Sequence, residues 1–172
     1  MQIRRGVPDD APALAAFAER TFVETFGPDN DPRDMEAFVE RTYGVAQQTA
    51  ELTDPGVVTL LAHRDARLVA FAQVRRHVPP PCVSDGASLE LRRFYVDRPA
   101  QGTGIAQLLM AAVFDAARDA GARHVWLGVW ERNLRAIAFY RKCGFTDVGS
   151  QPFVLGSDHQ NDRVMVARVQ PL

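Results

Sequence analysis

A glycine-rich segment is the part of this sequence whose residue types and spacing point most directly to chemistry. It reads Gln101-Gly-Thr-Gly-Ile-Ala106 and stands between a stretch typical of a β-strand and an apolar pattern typical of a helix. Glycines leave backbone N–H groups uncovered at a helix N-terminus, and that arrangement binds phosphate. The segment lacks the Gly-Lys-Ser/Thr ending of a Walker loop, and Gln107 stands where a dinucleotide fingerprint needs a third small residue. The sequence therefore predicts either an anion-binding loop of another kind or a tight strand-to-helix turn.

The strand before this loop, predicted over residues 88–96, has an irregular apolar alternation. Leu89 and Leu91 are at odd-numbered positions, whereas Phe94 and Val96 are at even-numbered positions. A regular strand would therefore turn the two pairs to opposite faces. A bulge at the two intervening arginines would bring the pairs to one face, and bulges occur beside active sites because they re-aim backbone groups. The alternative is a strand buried on both faces, for which parity carries little information.

The rest of the chain predicts helices and strands that surround this segment. Helical spacing covers the region of residues 12–22 and is then broken at Gly27-Pro28, and a hairpin is expected over residues 57–77. A polar loop over 156–162 is expected to join the last two strands. The predicted strands are 2–5, 57–63, 68–77, 88–96, 124–130, 145–150 and 163–169, and the later helices are 32–42, 45–52, 105–120 and 133–143. This order indicates an α/β protein with a mixed sheet.

Composition bounds the size and the partners of the protein. The 172 residues are 47% apolar and 24% charged, which fits one domain spanning residues 1–172 with a sizeable core. The net charge of −1 argues against general affinity for nucleic acid. No apolar run reaches membrane-spanning length and the first residues lack the apolar core of a signal peptide, so we expect a cytoplasmic protein with no membrane partner.

Cysteines and histidines form no recognisable metal or redox pattern in the sequence. Cys82 lies in a proline-rich turn and Cys143 lies at the end of a predicted helix, and reduced thiols are the default for such spacing. The four histidines are scattered without ligand spacing, so we expect no metal site.

A second motif lies one strand and one helix downstream of the glycine loop. Its residues stand at the spacings of Asn-x-x-Ala-x-x-Phe-Tyr-x-x-x-Gly-Phe: Asn133, Ala136, Phe139, Tyr140, Lys142, Gly144 and Phe145. Together with the Gln-x-x-Gly-x-Ala of the loop, this pattern resembles the GNAT (GCN5-related) N-acetyltransferase family. The resemblance covers most of the chain. It implies a single-domain acyl-CoA N-acyltransferase fold, with a mixed, mostly antiparallel twisted sheet that is splayed at a central parallel strand pair and flanked by helices.

Further stretches are similar to the PaiA-type polyamine (spermidine/spermine) N-acetyltransferases. They are Thr21–Gly27, Asp34–Met35, Glu51–Pro55 and Trp126–Glu131, followed by Phe153, Gly156, Gln160, Asp162 and Met165. This resemblance implies that the acetyl acceptor is a polyamine or another small cationic amine.

The family resemblance also implies the residues that bind acetyl-CoA as co-substrate. The backbone of Phe94, Tyr95 and Val96 would hold the pantetheine arm, with the Val96 N–H near the thioester oxygen. Asn133 would contact the arm where the sheet splays. The pyrophosphate would lie on the glycine loop, and the set is completed by Gln101, Gly102, Thr103, Gly104, Ile105, Ala106 and Lys142.

Acetyl transfer to an amine needs a neutral nitrogen, donors for the developing oxyanion and a proton for the leaving thiolate. Tyr140 is the candidate general acid, because a phenol with a pKa near ~10 is protonated at neutral pH. A core tyrosine with a satisfied hydroxyl is the alternative. Glu90, on the polar side of the bulged strand, is the candidate general base, and Glu24 or Glu131 could do the same work. Simple pairing of Glu90 with a nearby arginine is the competing interpretation.

Charge divides between the two halves of the sequence. Segment 19–40 has seven acidic residues against two arginines, whereas segment 92–142 has nine basic residues against four acidic ones. The basic half would meet the anionic CoA and the acidic half a cationic amine. Ordinary solvated helix faces are the simpler account for any one acid. The candidate acceptor-binding residues are Glu24, Asp29, Trp130 and Glu131.

The sequence thus predicts an acetyl-CoA-dependent N-acetyltransferase that transfers acetyl directly to a primary amine. A protein or aminosugar acceptor and a non-catalytic acyl-CoA-binding module stay open as alternatives. The expected partner is a small-molecule amine, with no nucleic acid and no membrane, and the sequence does not choose between a monomer and a homodimer.

Overall fold

A computed structural model describes residues 1–83, 86–155 and 158–170. Within these ranges, one sheet has the strand order β1-β2-β3-β4-β5-β7-β6. Its strands are β1 (Gln2–Arg5), β2 (Val57–Arg64), β3 (Arg67–Arg75), β4 (Ser88–Val96), β5 (His124–Trp130), β6 (Thr146–Leu155) and β7 (Asp158–Arg168). The helices are α1 (Ala11–Phe26), α2 (Pro32–Tyr43), α3 (Val45–Thr53), α4 (Ile105–Asp119) and α5 (Leu134–Lys142), with 3₁₀ turns at Pro8–Asp10, Gly27–Asp29 and Arg98–Ala100.

Local sequence explains where the helices begin and end. The turn at Gly27–Asp29 follows α1 directly, and α2 begins after Asp31, whose Oδ1 accepts a hydrogen bond from the Arg33 N–H at 2.8 Å. The chain leaves α4 through Gly121, which has φ +71° and so adopts the left-handed conformation common after helices. These boundaries agree with the sequence prediction to within one or two residues.

The sheet divides at its centre, between β4 and β5. This pair is parallel and runs only from Ser88 opposite His124 to Glu90 opposite Trp126, whereas the neighbouring pairs are antiparallel. Beyond Glu90, β4 continues alongside β3, and β5 continues alongside β7. A gap therefore opens inside the sheet, and one edge of β4 faces it.

A bulge in β4 restores the apolar alternation of that strand. Gln73 of β3 lies opposite Arg93, and the next residue, Val74, lies opposite Leu91, so Arg92 is an extra residue on β4. Four apolar side chains of β4 therefore belong to or pack against the same core: Leu89, Leu91, Phe94 and Val96. The predicted bulge is confirmed, and its cause is the parity conflict in the sequence.

Helices cover both faces of the sheet. On one face, α4 and α5 bury Val113 and Ile137 against the strands. On the other face, α1 and α2 bury Leu14 and Met35 against Phe71. Across the ranges that the structure describes, no helix combines the length and the apolar character needed to cross a membrane.

The closing hairpin differs from its prediction. The expected polar loop over 156–162 is wrong for residues 158–162, because β7 begins at Asp158 and pairs with β6 from Leu155 back to Thr146. Polar side chains on these residues suggested a loop, but their backbone is paired with β6, Asp162 also pairs with Trp130 of β5, and Gln160 and Asp162 border a cavity. Gly156 and Ser157 lie outside the described residues.

Candidate active site

A cavity of about 860 Å³ opens where β4 and β5 separate. Its volume lies in the range of small-molecule sites. The wall includes Val96 and Gln101 beside the glycine loop, Tyr140 on α5, and Phe22 and Trp130 on the opposite side of the gap. One space therefore reaches both the predicted anion-binding loop and the helices that cover the other face.

The glycine loop has the backbone geometry of an anion cradle. Gly102 and Gly104 have φ +77° and +86°, which L side chains rarely adopt, and a Cβ on either would meet no atom within 4 Å. Gly104 precedes α4, so the first N–H groups of that helix have no partner within the helix. The Thr103 hydroxyl donates to the Ala100 carbonyl at 2.7 Å and closes the loop. The open space above these N–H groups suits phosphate oxygens.

The structure brings most of the predicted CoA-binding residues to the cavity, but not all of them. On the wall are Phe94, Tyr95, Val96, Gln101, Gly102, Ala106 and Asn133. Ile105 is 1% exposed and belongs to the core, so its side chain anchors α4. Lys142 is exposed in the last turn of α5, away from the wall. Thr103 and Gly104 shape the loop without lining the cavity.

The free edge of β4 presents backbone donors to the gap. The Asp97 N–H donates to the Val69 carbonyl of β3 at 2.9 Å. Because successive N–H groups along a strand alternate in direction, the N–H groups of Phe94 and Val96 point away from β3. They therefore face the gap, where an extended amide-containing arm can pair with the strand as another strand would.

Arg135 joins the loop to α5, a contact that the sequence did not reveal. Its guanidinium donates to Gln101 Oε1, and the Gln101 amide donates to the Val96 carbonyl at 3.0 Å. Arg135 and Gln107 also line the cavity. In the sequence, Arg135 was one of several basic residues in segment 92–142, and only the fold identifies it as a cation beside the loop.

Tyr140 lies against the cavity with its ring held by other aromatic side chains. It is 9% exposed, with ring centroids 6.3 Å from Phe94 and 5.6 Å from Phe145. Burial raises the pKa of its hydroxyl, so the group carries its proton at neutral pH. Asn133, about two turns earlier, accepts a hydrogen bond from the Ala136 N–H at 3.1 Å and caps α5. Helix α5 therefore presents a protonated phenol to the gap.

The carboxylates predicted as bases or acceptor ligands are differently placed. Glu90 lies on the cavity wall and accepts a hydrogen bond from Arg75 Nε, which is the pairing that competed with its role as base. Glu24 pairs with Arg20 at 3.4 Å, and neither Glu24 nor Asp29 reaches the wall. Glu131 is exposed and accepts from the Asn161 amide at 3.2 Å. Of these predicted acidic groups, the structure brings only Glu90 to the cavity.

Asp162 is the acidic residue on the wall whose role the sequence did not predict. It lies on β7 opposite Trp130 of β5 and Gln151 of β6. Burial, reinforced by the negative charge of Glu131, raises the pKa of its carboxyl group to about 6. The sequence marked this residue only as part of a motif in an expected loop, and strand pairing is what turns it into the cavity wall.

Aromatic rings surround the part of the cavity near Asp162. Phe26 lies 6.1 Å from Trp130, and Phe38 lies 5.0 Å from Phe22 and 6.0 Å from Phe153, between ring centroids. All five residues line the cavity. Such faces attract organic cations and cover apolar chains. This part of the cavity is called the aromatic pocket below.

A buried ion-pair network supports the bulge from behind. Glu51 of α3 accepts hydrogen bonds from Arg92, at 2.7 Å, and from Arg93. Neighbouring residues of a regular strand point to opposite faces, so the bulge is what lets both arginines reach one carboxylate. Arg93 also lies over the Tyr43 ring, 4.8 Å from its centroid, and Gln73 donates to Glu51 at 3.1 Å. The conformation of β4 at the gap is therefore tied to α3.

Among residues 1–83, 86–155 and 158–170, no group of three or more histidine, cysteine or acidic side chains is arranged to hold a metal ion. The donors that face the cavity include backbone N–H groups, tyrosine hydroxyls, side-chain amides and arginine guanidinium groups. This set suits an anionic organic ligand with a peptide-like arm.

Known proteins similar to this chain are acetyltransferases. The Acetyltransferase (GNAT) family matches residues 15–145. An uncharacterized N-acetyltransferase of Mycobacterium tuberculosis is 40% identical over 157 residues, which cover 91% of this chain and 96% of that protein. An aminoglycoside N(6')-acetyltransferase type 1 of Stenotrophomonas maltophilia is 35% identical over 101 residues, or 58% of this chain and 66% of that protein.

Solved structures confirm the predicted fold class. The PaiA N-acetyltransferase of Thermoplasma acidophilum, solved in complex with coenzyme A, matches with a TM-score of 0.81 and covers 97% of this chain and 98% of its own. Its sequence is 19% identical, so this likeness concerns the fold. The mixed sheet, mostly antiparallel and splayed at one parallel pair, is the architecture that the two chains share.

Proposed function

The chain belongs to the Acetyltransferase (GNAT) family, and we propose that it transfers the acetyl group of acetyl-CoA directly to the primary amine of a polyamine or another small cationic amine. The observation that carries this proposal is a continuous cavity, which joins the glycine loop to the aromatic pocket through the gap between β4 and β5. A donor and an acceptor can meet in this space, so the reaction requires no covalent enzyme intermediate.

The donor end of the cavity is suited to acetyl-CoA. The N–H groups that follow Gly104 form an uncovered cradle for the pyrophosphate, and Arg135 supplies a nearby positive charge. The free edge of β4 offers the N–H groups of Phe94 and Val96 to the pantetheine amides and the thioester. Basic residues predominate in segment 92–142, and their positive charge would attract the negatively charged CoA.

The transfer is a single displacement at the thioester carbonyl. The nitrogen lone pair forms a bond to the acetyl carbon, the carbonyl oxygen gains negative charge, and the C–S bond then breaks with its electron pair on sulfur. We assign the Val96 N–H as a donor to that oxygen and the Tyr140 hydroxyl as the source of the proton that the thiolate receives. The raised pKa of Tyr140 keeps this proton available across the neutral pH range.

The acceptor end supports an amine that carries positive charge and an apolar body. Aromatic rings favour ammonium groups and cover methylene chains, and a polyamine offers both. The PaiA-type motifs in the sequence support the same acceptor class. The acidic side chains of segment 19–40 lie outside the cavity wall, so they would act on a polyamine only through their long-range field.

An aminosugar is the second candidate acceptor. The observation that favours it is the aminoglycoside N(6')-acetyltransferase of Stenotrophomonas maltophilia, which is 35% identical to this chain over 101 residues. An aminosugar would need polar partners for its hydroxyl groups, and Gln151, Gln160 and Asp162 provide such groups on the wall.

The deciding experiment measures CoA release from acetyl-CoA with a panel of spermidine, an aminosugar, a basic peptide and a free amino acid. We expect the highest kcat/KM for spermidine, with a monoacetylated product identified by mass spectrometry. Preference for the aminosugar would select the second candidate. If only the peptide reacts, the acceptor is a protein amine and the small-amine proposal is wrong.

A further inference from the structure

We infer that Asp162 binds the ammonium group of the acceptor and takes the proton that the nitrogen loses during acetyl transfer. This assignment rests on the proposed function and adds a residue to it. Glu90, the carboxylate that the sequence favoured as base, forms an ion pair with Arg75. Glu90 is therefore less available than Asp162 to bind an ammonium group or accept its proton.

The position of Asp162 is set by strand pairing. In the register of the sheet, Asp162 faces Trp130 across the β5–β7 ladder and Gln151 across the β6–β7 ladder. Gly128, two residues before Trp130, leaves room for the carboxylate, because a Cβ there would lie 3.1 Å from Asp162 Oδ2 and 2.7 Å from Gln151 Nε2. The Asp162 carboxylate therefore lies at the cavity wall, in space that a larger side chain at position 128 would occupy.

The two carboxylates on the wall differ in their neighbours. Arg75 neutralises Glu90, whereas no hydrogen bond or ion pair to the Asp162 carboxylate is found among residues 1–83, 86–155 and 158–170. The charged neighbour of Asp162 is Glu131, which lies just beyond the end of β5 and carries the same sign. A half-buried carboxylate without a paired cation is a group that a cationic amine would neutralise on binding.

The environment also suits Asp162 to proton transfer. Burial and the charge of Glu131 raise its pKa to about 6, so the group is ionised at neutral pH and more basic than an ordinary aspartate. The bound ammonium first passes one proton to the Asp162 carboxylate, which releases it to solvent, so that the nitrogen has the lone pair needed for attack. As the nitrogen then bonds to the acetyl carbon, its N–H becomes acidic and a second proton passes to the Asp162 carboxylate. The leaving sulfur receives its proton from Tyr140, and solvent restores both groups. Protons and electron pairs therefore balance with no further reactant.

The neighbours of Asp162 define how pH should act. From β5 the facing residues are Gly128, Trp130 and the adjoining Glu131, and from β6 the facing residue is Gln151. On β7 itself, Arg163 is paired with Asp147 at 2.7 Å. The wall also includes His77, a residue type that changes charge near neutral pH. A variant of His77 is therefore needed to assign any titration.

The test compares Asp162→Asn with the wild-type protein in kcat/KM for the preferred amine across pH 5 to 9. Asparagine keeps the shape of the side chain and removes both the charge and the base. We expect kcat/KM to fall by about 10²- to 10⁴-fold at neutral pH. The wild-type profile should also show an acidic limb, which is the decline of kcat/KM as the pH falls through about 6, and this limb should be lost in the variant. Acetyl-CoA affinity, measured by calorimetry, should not change.

Three matched variants sharpen this result. Asp147→Asn removes a carboxylate of the same hairpin that lies outside the cavity wall, and it should leave the limb in place. His77→Gln should retain the limb as well. Glu131→Gln should move the limb to lower pH, because it removes the charge that helps to raise the pKa of Asp162. A nucleophile that is already neutral at the assay pH, such as hydroxylamine, should react with Asp162→Asn at a rate closer to that of the wild type.

The outcomes separate this assignment from the proposed function. Wild-type turnover together with an unchanged rate and unchanged acidic limb in Asp162→Asn would overturn the assignment alone. A limb that disappears in His77→Gln would also overturn it, in favour of the histidine. Wild-type protein that binds acetyl-CoA but releases no CoA with any small amine would overturn the proposed acceptor class and this assignment with it.

Discussion

Replacing Glu51 by glutamine should lower the free energy of unfolding by about 3 to 5 kcal/mol, the range measured when one partner of a buried ion pair is removed. Glu51 and Arg93 are 5% and 4% exposed, and Arg92 shares the same carboxylate. Glutamine keeps the shape of the side chain but leaves the guanidinium of Arg93 buried without a counter-charge. The change therefore isolates the electrostatic part of the network.

The predicted loss is large compared with the total stability of a domain but does not exceed it. Natural domains unfold with about 5 to 15 kcal/mol, so the variant is expected to fold under mild conditions. In a chain of this size, 1 kcal/mol corresponds to roughly 2 to 4 °C in Tm, so the variant should melt roughly 6 to 20 °C lower. Glu24→Gln is the matched control, because its pair with Arg20 at 3.4 Å is on the surface and should contribute less than about 1 kcal/mol.

Chemical denaturation of both variants measures this difference, and its pH dependence tests the cause. Burial acts to raise the pKa of Glu51, but Arg93 and the hydrogen bonds outweigh it, so the pKa lies below the ordinary value of 4.5. The contribution of Glu51 is therefore fully present above pH 4.5 and is lost as the pH falls through the folded-state pKa. The wild type should lose this increment on acidification, whereas Glu51→Gln should not. A stability loss below 1 kcal/mol, or equal acid sensitivity, would refute the reasoning.

Three further substitutions test the site. Tyr140→Phe should lower kcat by about 10²- to 10⁴-fold with CoA affinity intact, and a parallel loss of CoA binding would contradict the acid role. Gly104→Glu should abolish CoA binding in calorimetry, because it strains a backbone at φ +86° and places negative charge at the anion cradle; Gly121→Glu, at φ +71° after α4, shares the strain and should still bind CoA. Gly128→Ala should raise the KM for the amine, since the new Cβ would displace Gln151 and Asp162, and unchanged KM would argue against this acceptor site.

Features that depend on neighbouring residues were predictable from the sequence. The two glycines of the loop have the positive φ that glycine favours, and the start of α4 follows from its apolar spacing. The bulge at Arg92 was predictable because Leu91 and Phe94 could not otherwise reach the same core. The strand and helix order followed from the same local patterns, as did the resemblance to acetyltransferases.

Charge pattern was a weaker guide to the acceptor site than apolar pattern was to the fold. Glu24 and Asp29 lie in the acid-rich segment, yet neither side chain lines the cavity. An exposed charge gains solvation wherever it lies on the surface, so its position in the sequence does not specify a direction. The polar character of residues 158–162 likewise concealed a strand, because polar side chains can face a cavity as well as bulk water.

The sequence by itself determined the glycine loop, the bulged strand and the helix that carries Tyr140, because each depends on backbone preferences and side-chain spacing over a few residues. Only the tertiary structure decided that Arg135 meets Gln101, that Glu51 meets both bulge arginines and that Asp162 faces the aromatic pocket. These contacts join residues more than thirty positions apart or depend on strand register. These contacts form only once the sheet has assembled and its strands β4 and β5 have separated, so no local sequence pattern can predict them.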